Sequence, residues 1–200
     1  MICWKRALLG LGLLLAGGGL TVNAAEASPA DRSLALVVVG TLDDSIAARI
    51  RCFAEEHLGL AVSRIQPDLP ATTTLQEAVE KTAGLLDARH EFIVALVTPA
   101  SAEKAHGIFS PERRVVVVNA AALKPAGDGP EIFARRLEKV VMHGYGILLG
   151  LAACPHPNCA LFAYANDAEL DAMGRNFCPP CQDKVARAAA STGLKTIEHP

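Results

Sequence analysis

The sequence predicts an α/β fold, in which helices pack on a small, mainly parallel mixed sheet to form a sandwich. Three continuous aliphatic runs, at residues 34–40, 92–98 and 115–119, have the composition of strands that are buried on both faces. Helical patterns alternate with these runs, and this alternation is typical of parallel strands connected through helices. The chain of 200 residues is long enough for one domain with its own core.

Capping residues mark where the predicted helices begin. Asp43 or Asp44 is placed to cap a first helix, in which apolar residues recur at helical spacing. Thr74 opens a second helix, and Glu77 stands three residues later, where it completes a capping box. A third helix is predicted over residues 131–151, directly after a proline that suits a first helical turn.

Two shorter segments complete the predicted sheet. Residues 60–65 are expected to form a short strand, and residues 104–110 to form an edge strand. After the third helix we expect only a compact cysteine-rich part. The sequence contains no internal repeat or linker that would divide residues 28–200 into two domains.

Residues 1–27 have the features of a signal peptide. Lys5 and Arg6 precede an apolar run at residues 7–20, and small residues suited to cleavage follow. The run is shorter than the roughly 20 apolar residues that span a membrane, so an uncleaved anchor is the less favoured alternative. We therefore predict an exported protein, periplasmic or secreted, that contacts no membrane beyond its leader.

The overall charge argues against one class of partner. The formal net charge is −2 and the pI is about 6.3. Proteins that bind nucleic acid usually carry a basic footprint, so no nucleic acid is expected as a partner.

The C-terminal half contains an incomplete zinc-peptidase pattern. Helices of this kind carry H-E-x-x-H-x-x-G-x-x-H, in which the histidines bind zinc and the glutamate is the general base. His143 and Gly150 fit the pattern. The remaining positions do not fit, because the glutamate is replaced by Gly144, the second histidine by Ile147 and the third histidine by Ala153.

These replacements predict that the catalytic zinc is absent and that no residue is catalytic. A hydrolytic zinc needs three protein ligands, an open position and a carboxylate that handles the proton of the bound water. His106, His156 and Glu138 are possible substitutes, but none has the one-turn spacing that directs two ligands at one ion. His143 is then either a relic on the face of a cleft or a buried histidine with a hydrogen-bond partner.

The cysteines give the stronger signal. Cys154 and Cys159 form one pair, Cys178 and Cys181 form another, and two such pairs about twenty residues apart can converge on a tetrahedral zinc site. Export favours the alternative of two disulfides, which would leave Cys52 as a buried free thiol. A redox-active C-x-x-C is the third alternative, although residues 178–181 are not expected to follow a strand and open a helix within a thioredoxin-like βαβ unit.

Together these residues resemble the archaemetzincins, a family of metzincin-like zinc metallopeptidases. The family signature continues from its zinc helix into C-x-x-x-x-C-x-M and, further on, C-x-x-C. His143, Gly150 and the four cysteines fall on this signature, whereas Leu161 stands in place of the methionine. The resemblance implies a metzincin-like α/β sandwich with a cysteine-rich C-terminal zinc subsite and one structural Zn²⁺ on Cys154, Cys159, Cys178 and Cys181.

Three functions are compatible with this sequence. The first is an exported, inactive pseudopeptidase whose retained cleft binds a peptide or a partner protein along the edge strand at residues 104–110. The second is an active, aminopeptidase-like zinc metallopeptidase that uses non-standard ligands, as the resemblance implies. The third is an exported disulfide or redox protein built on the four cysteines.

Overall fold

The computed structural model describes residues 32–197, except residues 68, 70, 71, 73, 100 and 126–128. The predicted signal peptide, residues 1–27, lies outside the described residues. Within the described residues, five strands form one sheet in the order β2-β1-β3-β5-β4. Their bounds are β1 Ser33–Val39, β2 Val62–Ile65, β3 His90–Val97, β4 Gly107–Ser110 and β5 Val115–Asn119.

The pairing within the sheet confirms the predicted fold class. β1 pairs in parallel with β2 and with β3, and β3 pairs in parallel with β5, for example through Val94 and Val116. β4 is antiparallel to β5 and lies at the edge of the sheet, as predicted for residues 104–110. The strand is shorter than predicted and begins at Gly107.

Five α-helices accompany the described strands, and one 3₁₀ turn spans Pro111–Arg113. The helices are α1 Asp44–Leu58, α2 Leu75–Ala83, α3 Pro130–Leu148, α4 Asp167–Ala172 and α5 Pro179–Thr192. Asp43 accepts a hydrogen bond from the Ser45 N–H, and Thr74 accepts one from the Glu77 N–H, which confirms both predicted N-caps. None of the helices in the described part of the chain is both long and apolar enough to cross a membrane.

The strand side chains alternate between two cores. Ala35, Ile93 and Val117 point to the face covered by α2, where Val79 packs on them. The opposite face carries the larger core, in which strand residues contact α1, α3 and the C-terminal part of the chain. Because both faces are covered, the strands have the continuous apolar composition from which they were predicted.

Helix α3 ends earlier than predicted. The sequence suggested a helix as far as residue 151, but the last residue of α3 is Leu148. Gly150 adopts a left-handed conformation with φ +79°, and the Leu151 N–H donates to the Gly146 carbonyl. Glycine suits this position because a left-handed backbone is strained for other residues. The glycine that fits the zinc-helix pattern is therefore the helix stop, and Ala153 lies beyond the helix.

Two glycines bring α3 close to its neighbours. A Cβ atom on Gly144 would lie 2.8 Å from Val116 Cγ1, on the central part of the sheet. A Cβ atom on Gly146 would lie 2.7 Å from Leu161 Cδ2 and 3.0 Å from Phe177 Cε1. Both distances are shorter than ordinary van der Waals contacts, so close packing explains why two poor helix formers occupy this helix.

The C-terminal part contains more regular structure than predicted. Helices α4 and α5 were not expected. Residues 178–181 open α5, but the preceding element is α4 and not a strand, so the described structure has no thioredoxin-like βαβ unit at this C-x-x-C. Cys178 is the N-cap of α5 and Pro179 occupies its first turn, a position where proline is favoured. Cys52 is disulfide-bonded, so the expectation of a free thiol at that position is wrong.

The contact between Gly144 and Val116 yields a stability prediction. We expect Gly144→Ala to lower the free energy of unfolding by about 1 kcal/mol, because overpacking costs about 1–3 kcal/mol and better helix propensity returns about 1 kcal/mol. Urea denaturation measures this change. The control is Gly84→Ala, at a residue with φ −67° whose Cβ would lie 3.4 Å from the nearest atom, and it should not destabilise the protein. Equal stabilisation by both variants would contradict the packing account.

Candidate functional site

A cleft of about 580 Å³ separates edge strand β4 from the end of helix α3. Gly107 and Phe109 of β4 form one wall, and His143 of α3 forms another. The segment that follows the first cysteine pair closes the cleft, through residues 163–167. The structure therefore brings the predicted edge strand and the predicted zinc helix together around one cavity.

His143 is held by a hydrogen bond to the main chain. Its Nδ1 lies 2.8 Å from the carbonyl oxygen of Ala160, so Nδ1 donates and Nε2 keeps its lone pair. Burial lowers the pKa of His143 and outweighs this hydrogen bond, so the ring is neutral at pH 7. The rings of Phe109 and Tyr164 lie 5.4 and 6.1 Å from the imidazole. Histidines that bind metals are commonly oriented by such a hydrogen bond.

The other positions of the zinc pattern supply no ligand atoms. Ile147 lies one turn after His143, and Ala153 lines the cleft with a methyl group only. Gly144 faces the sheet instead, where Val116 fills the space that a side chain would need. Among the described residues, only the four cysteines form a group of three or more His, Cys, Asp or Glu side chains whose ligand atoms converge. The residues of the cleft therefore do not fit a catalytic zinc, which needs three ligands.

The three possible substitute ligands occupy different environments. Glu138 is 2% exposed at its side chain and accepts hydrogen bonds from Arg49 (2.8 Å) and Arg175 (3.0 Å), so it holds two arginines. His156 is exposed, and its Nδ1 accepts the Asn158 N–H at 3.2 Å. His106 lines the cleft, whereas Glu138 and His156 do not.

His106 belongs to a polar and aromatic group that sequence reasoning missed. Its Nε2 lies 3.0 Å from Asp167 Oδ1, and its ring stacks on Tyr164 at 5.7 Å. Asp167 also accepts a hydrogen bond from Arg136 Nη1 at 2.8 Å. His106 and Arg136 are far in the sequence from each other and from the segment that carries Tyr164 and Asp167, and only the tertiary structure brings them together. No local pattern would have revealed them.

The four predicted zinc ligands do converge. The sulfur atoms of Cys154, Cys159, Cys178 and Cys181 all lie within 4.8 Å of one another, and none of them is in a disulfide. The Cys154 and Cys178 sulfurs are 3.7 Å apart. A tetrahedron with Zn–S bonds of about 2.3 Å has an edge of about 3.8 Å, whereas a disulfide bond measures about 2.05 Å. The four thiols therefore fit a tetrahedral zinc ion.

Local structure explains how these sulfurs are positioned. Cys178 and Cys181 lie at the N-terminus of α5, where the helix dipole favours negative charge. The Cys178 N–H also points at the Cys159 sulfur, 3.4 Å away. Burial raises the pKa of the Cys159 and Cys181 thiols, so both are protonated at neutral pH without a metal. A bound divalent ion would displace these protons.

The cysteine cluster and the cleft share one segment of chain. The Cys154 N–H donates to the Leu161 carbonyl at 2.9 Å, and the backbones of Cys154 and Phe162 form an isolated parallel β-bridge. Ala160, which orients His143, lies directly after Cys159. A metal on the cysteines would therefore fix the segment that orients His143 and carries Tyr164 into the cleft.

Comparisons with known proteins agree with these features. The model of peptidase family M54 matches residues 104–187. Archaemetzincin from Pyrobaculum aerophilum is 35% identical over 81 residues, which are 40% of this chain and 49% of that protein. Archaemetzincin from Methanopyrus kandleri is 34% identical over 77 residues, which are 38% of this chain and 42% of that protein. The matching segment thus spans about half or less of each relative.

Similarity in three dimensions extends over more of the chain. The crystal structure of archaemetzincin from Methanopyrus kandleri superposes with a TM-score of 0.65 and 24% identity, over 80% of this chain and 97% of that one. A zinc-dependent peptidase from Methanocorpusculum labreanum gives a TM-score of 0.63 at 17% identity, over 76% and 99% of the two chains. At these identities the superpositions establish the fold. Residues 104–187 are thus similar in sequence to peptidase family M54, and the superpositions show that the chain shares the fold of the archaemetzincins.

Proposed function

We propose that this protein is an exported, catalytically inactive archaemetzincin-like pseudopeptidase with one structural zinc ion and a cleft that binds peptides. The observation that carries the proposal is a contrast between two sites. Four cysteine sulfurs lie within 4.8 Å of one another, whereas the catalytic helix keeps only His143 of its three ligand positions. Zinc held by the four thiolates supplies folding free energy and no open coordination position.

The packing at Gly144 supports the loss of catalysis. A glutamate at residue 144 would not fit without a further change, because the fully buried side chain of Val116 occupies the adjoining space. A side chain at residue 144 would therefore have to displace Val116. A water molecule in the cleft would have no carboxylate at that position to accept its proton.

The edge strand supports the proposed binding of peptides. The Asn119 N–H donates to the His106 carbonyl at 2.8 Å, and bonded and non-bonded pairs alternate along an antiparallel ladder. The main-chain groups of Gly107 and Phe109 therefore face away from β5. Both residues line the cleft, so an extended peptide in the cleft can hydrogen-bond to β4 as an added strand.

Two alternatives make different predictions. An active metallopeptidase would need His106 as a ligand beside His143, since both histidines line the cleft. A disulfide protein would need sulfur pairs about 2 Å apart, whereas the cluster contains four unbridged thiols, and a redox protein would alternate between thiols and a disulfide when the reductant is changed. Metal content and hydrolysis separate these alternatives from the pseudopeptidase.

The metal content of the purified protein is the first test. We expect one zinc ion per chain, because one four-cysteine cluster is present among the described residues. Cys154→Ser should remove the zinc and destabilise the protein, since the metal contributes directly to folding. His143→Ala should change neither the zinc content nor the absence of peptide hydrolysis. Two zinc ions, one of them lost in His143→Ala, would contradict the proposal, and so would a metal-free protein with two disulfides.

Restoring the missing ligands tests whether residues 143–153 are correctly aligned with the zinc-helix pattern. We expect Gly144→Glu, Ile147→His and Ala153→His, combined with Val116→Ala to make room for the new carboxylate, to create a second zinc site. Equilibrium dialysis measures the second ion. The matched control keeps Val116 and makes only the other three changes; it should bind the second zinc more weakly and unfold at lower urea, because the glutamate collides with the sheet. No second ion in either variant would refute the alignment of these positions.

A defined extended peptide tests the edge strand. An acetylated and amidated hexapeptide of alternating threonine and valine should shift the NMR amide signals of Gly107 and Phe109 more than those of Ile108, whose main chain faces β5. The same peptide N-methylated at alternate residues is the control, because it lacks the necessary donors. Equal shifts from both peptides would rule out strand addition.

A further inference from the structure

A second cavity, of about 440 Å³, lies between helix α3 and the end of helix α4. None of the residues that line it lines the cleft described above. Three of these residues are cationic, one is acidic and two are apolar, namely Arg135, Lys139, Arg175, Asp171, Ile132 and Met173.

The acidic residue does not neutralise the three cations. Both carboxylate oxygens of Asp171 are engaged by the guanidinium group of Arg136, with Nε at 2.8 Å from Oδ1 and Nη2 at 2.6 Å from Oδ2. This bidentate pair satisfies the charge of Asp171 with an arginine that does not line the cavity. Arg135 and Arg175 are themselves paired with Glu131 and Glu138, so the excess of positive charge at the cavity lies on Lys139.

Lys139 is the most deeply placed of these cations. It is only 6% exposed, and its Nζ donates to the carbonyl oxygens of Leu170 (2.8 Å) and Asp171 (2.6 Å). These bonds cap the C-terminal end of α4 and use two of the three ammonium protons. Within the described residues, Lys139 forms no ion pair with a carboxylate at 4.0 Å or less. Burial of an ammonium group that has a remaining donor and no carboxylate within ion-pair distance is costly.

The two arginines also keep unused donors. Arg135 bonds through Nε to Glu131, and Arg175 bonds through Nη1 to Glu138, which leaves the other guanidinium nitrogens of both without a partner among the described side chains. Burial lowers the pKa of Lys139; the negative charge of Asp171 opposes this effect, and the positive charges of Arg175 and Arg135 add to it. The three cations are thus close enough to repel one another.

We propose that this cavity binds a phosphate-type oxyanion. Such an ion is compact, carries enough charge to offset the repulsion, and offers oxygens to the free donors of Arg135, Lys139 and Arg175. The apolar side chains of Ile132 and Met173 at the same cavity suit an organic group attached to the phosphate. The inference does not depend on the function proposed for the cleft, because the two cavities share no residue.

Titration with inorganic phosphate at constant ionic strength tests the site. Calorimetry should show one phosphate per chain, and Arg135→Gln should weaken binding by about tenfold, the effect expected for a charge-assisted hydrogen bond. Arg89→Gln is the matched control, because Arg89 is equally an exposed arginine paired with a nearby carboxylate but lies in the turn before β3. The control should bind phosphate as the unmodified protein does.

Lys139→Gln gives a second measurement that does not rely on an exposed residue. Glutamine retains an N–H donor for the carbonyl of Leu170 or Asp171 but lacks the charge, so phosphate should no longer raise the melting temperature of this variant. If Lys139→Gln does not fold, the titration of Arg135→Gln with phosphate still tests the proposal. Absence of phosphate binding, or equal weakening by Arg135→Gln and Arg89→Gln, would overturn the proposal.

Discussion

The close contact between helix α3 and the sheet determines the rest of the site. Gly144 lets the helix lie directly on Val116, and this contact sets the distance from His143 to edge strand β4. The same contact removes the space for a catalytic carboxylate. This one packing interaction therefore maintains the cleft. It also leaves no room for a glutamate at residue 144 that could act as a general base.

The cysteine cluster has a complementary role on the other side of the cleft. The chain between α3 and α5 contains little regular secondary structure apart from the short helix α4. A metal bound by the four converging sulfurs would restrain this segment, which carries both the carbonyl of Ala160 and the ring of Tyr164. Under the proposed function, the four cysteines are explained by the need for a cleft of fixed shape that binds peptides.

The sequence was informative where a single local cause decides the structure. Strands buried on both faces need apolar runs, and the N-cap of α2 needs only the Thr74 side chain, so both were predicted correctly. Helix α4 was missed although Asn166 and Glu169 form a local capping signal that could have indicated it. The arginine contacts of Glu138 and the neighbours of His106 join distant segments, and no local pattern contains such information. Substitutions in the zinc helix showed which ligands are missing, but only the packing showed that Val116 fills the vacated space.

The central proposal is that this chain holds zinc in a four-sulfur site and holds none beside His143 on helix α3. X-ray absorption spectroscopy at the zinc edge of the purified protein tests this claim most directly, because it reports the atoms bound to the metal. The account predicts four sulfur neighbours at about 2.3 Å and no nitrogen or oxygen neighbour. A mixed shell in which histidine nitrogen or water oxygen contributes at about 2.0–2.1 Å would contradict it, because zinc would then occupy a site with an open position.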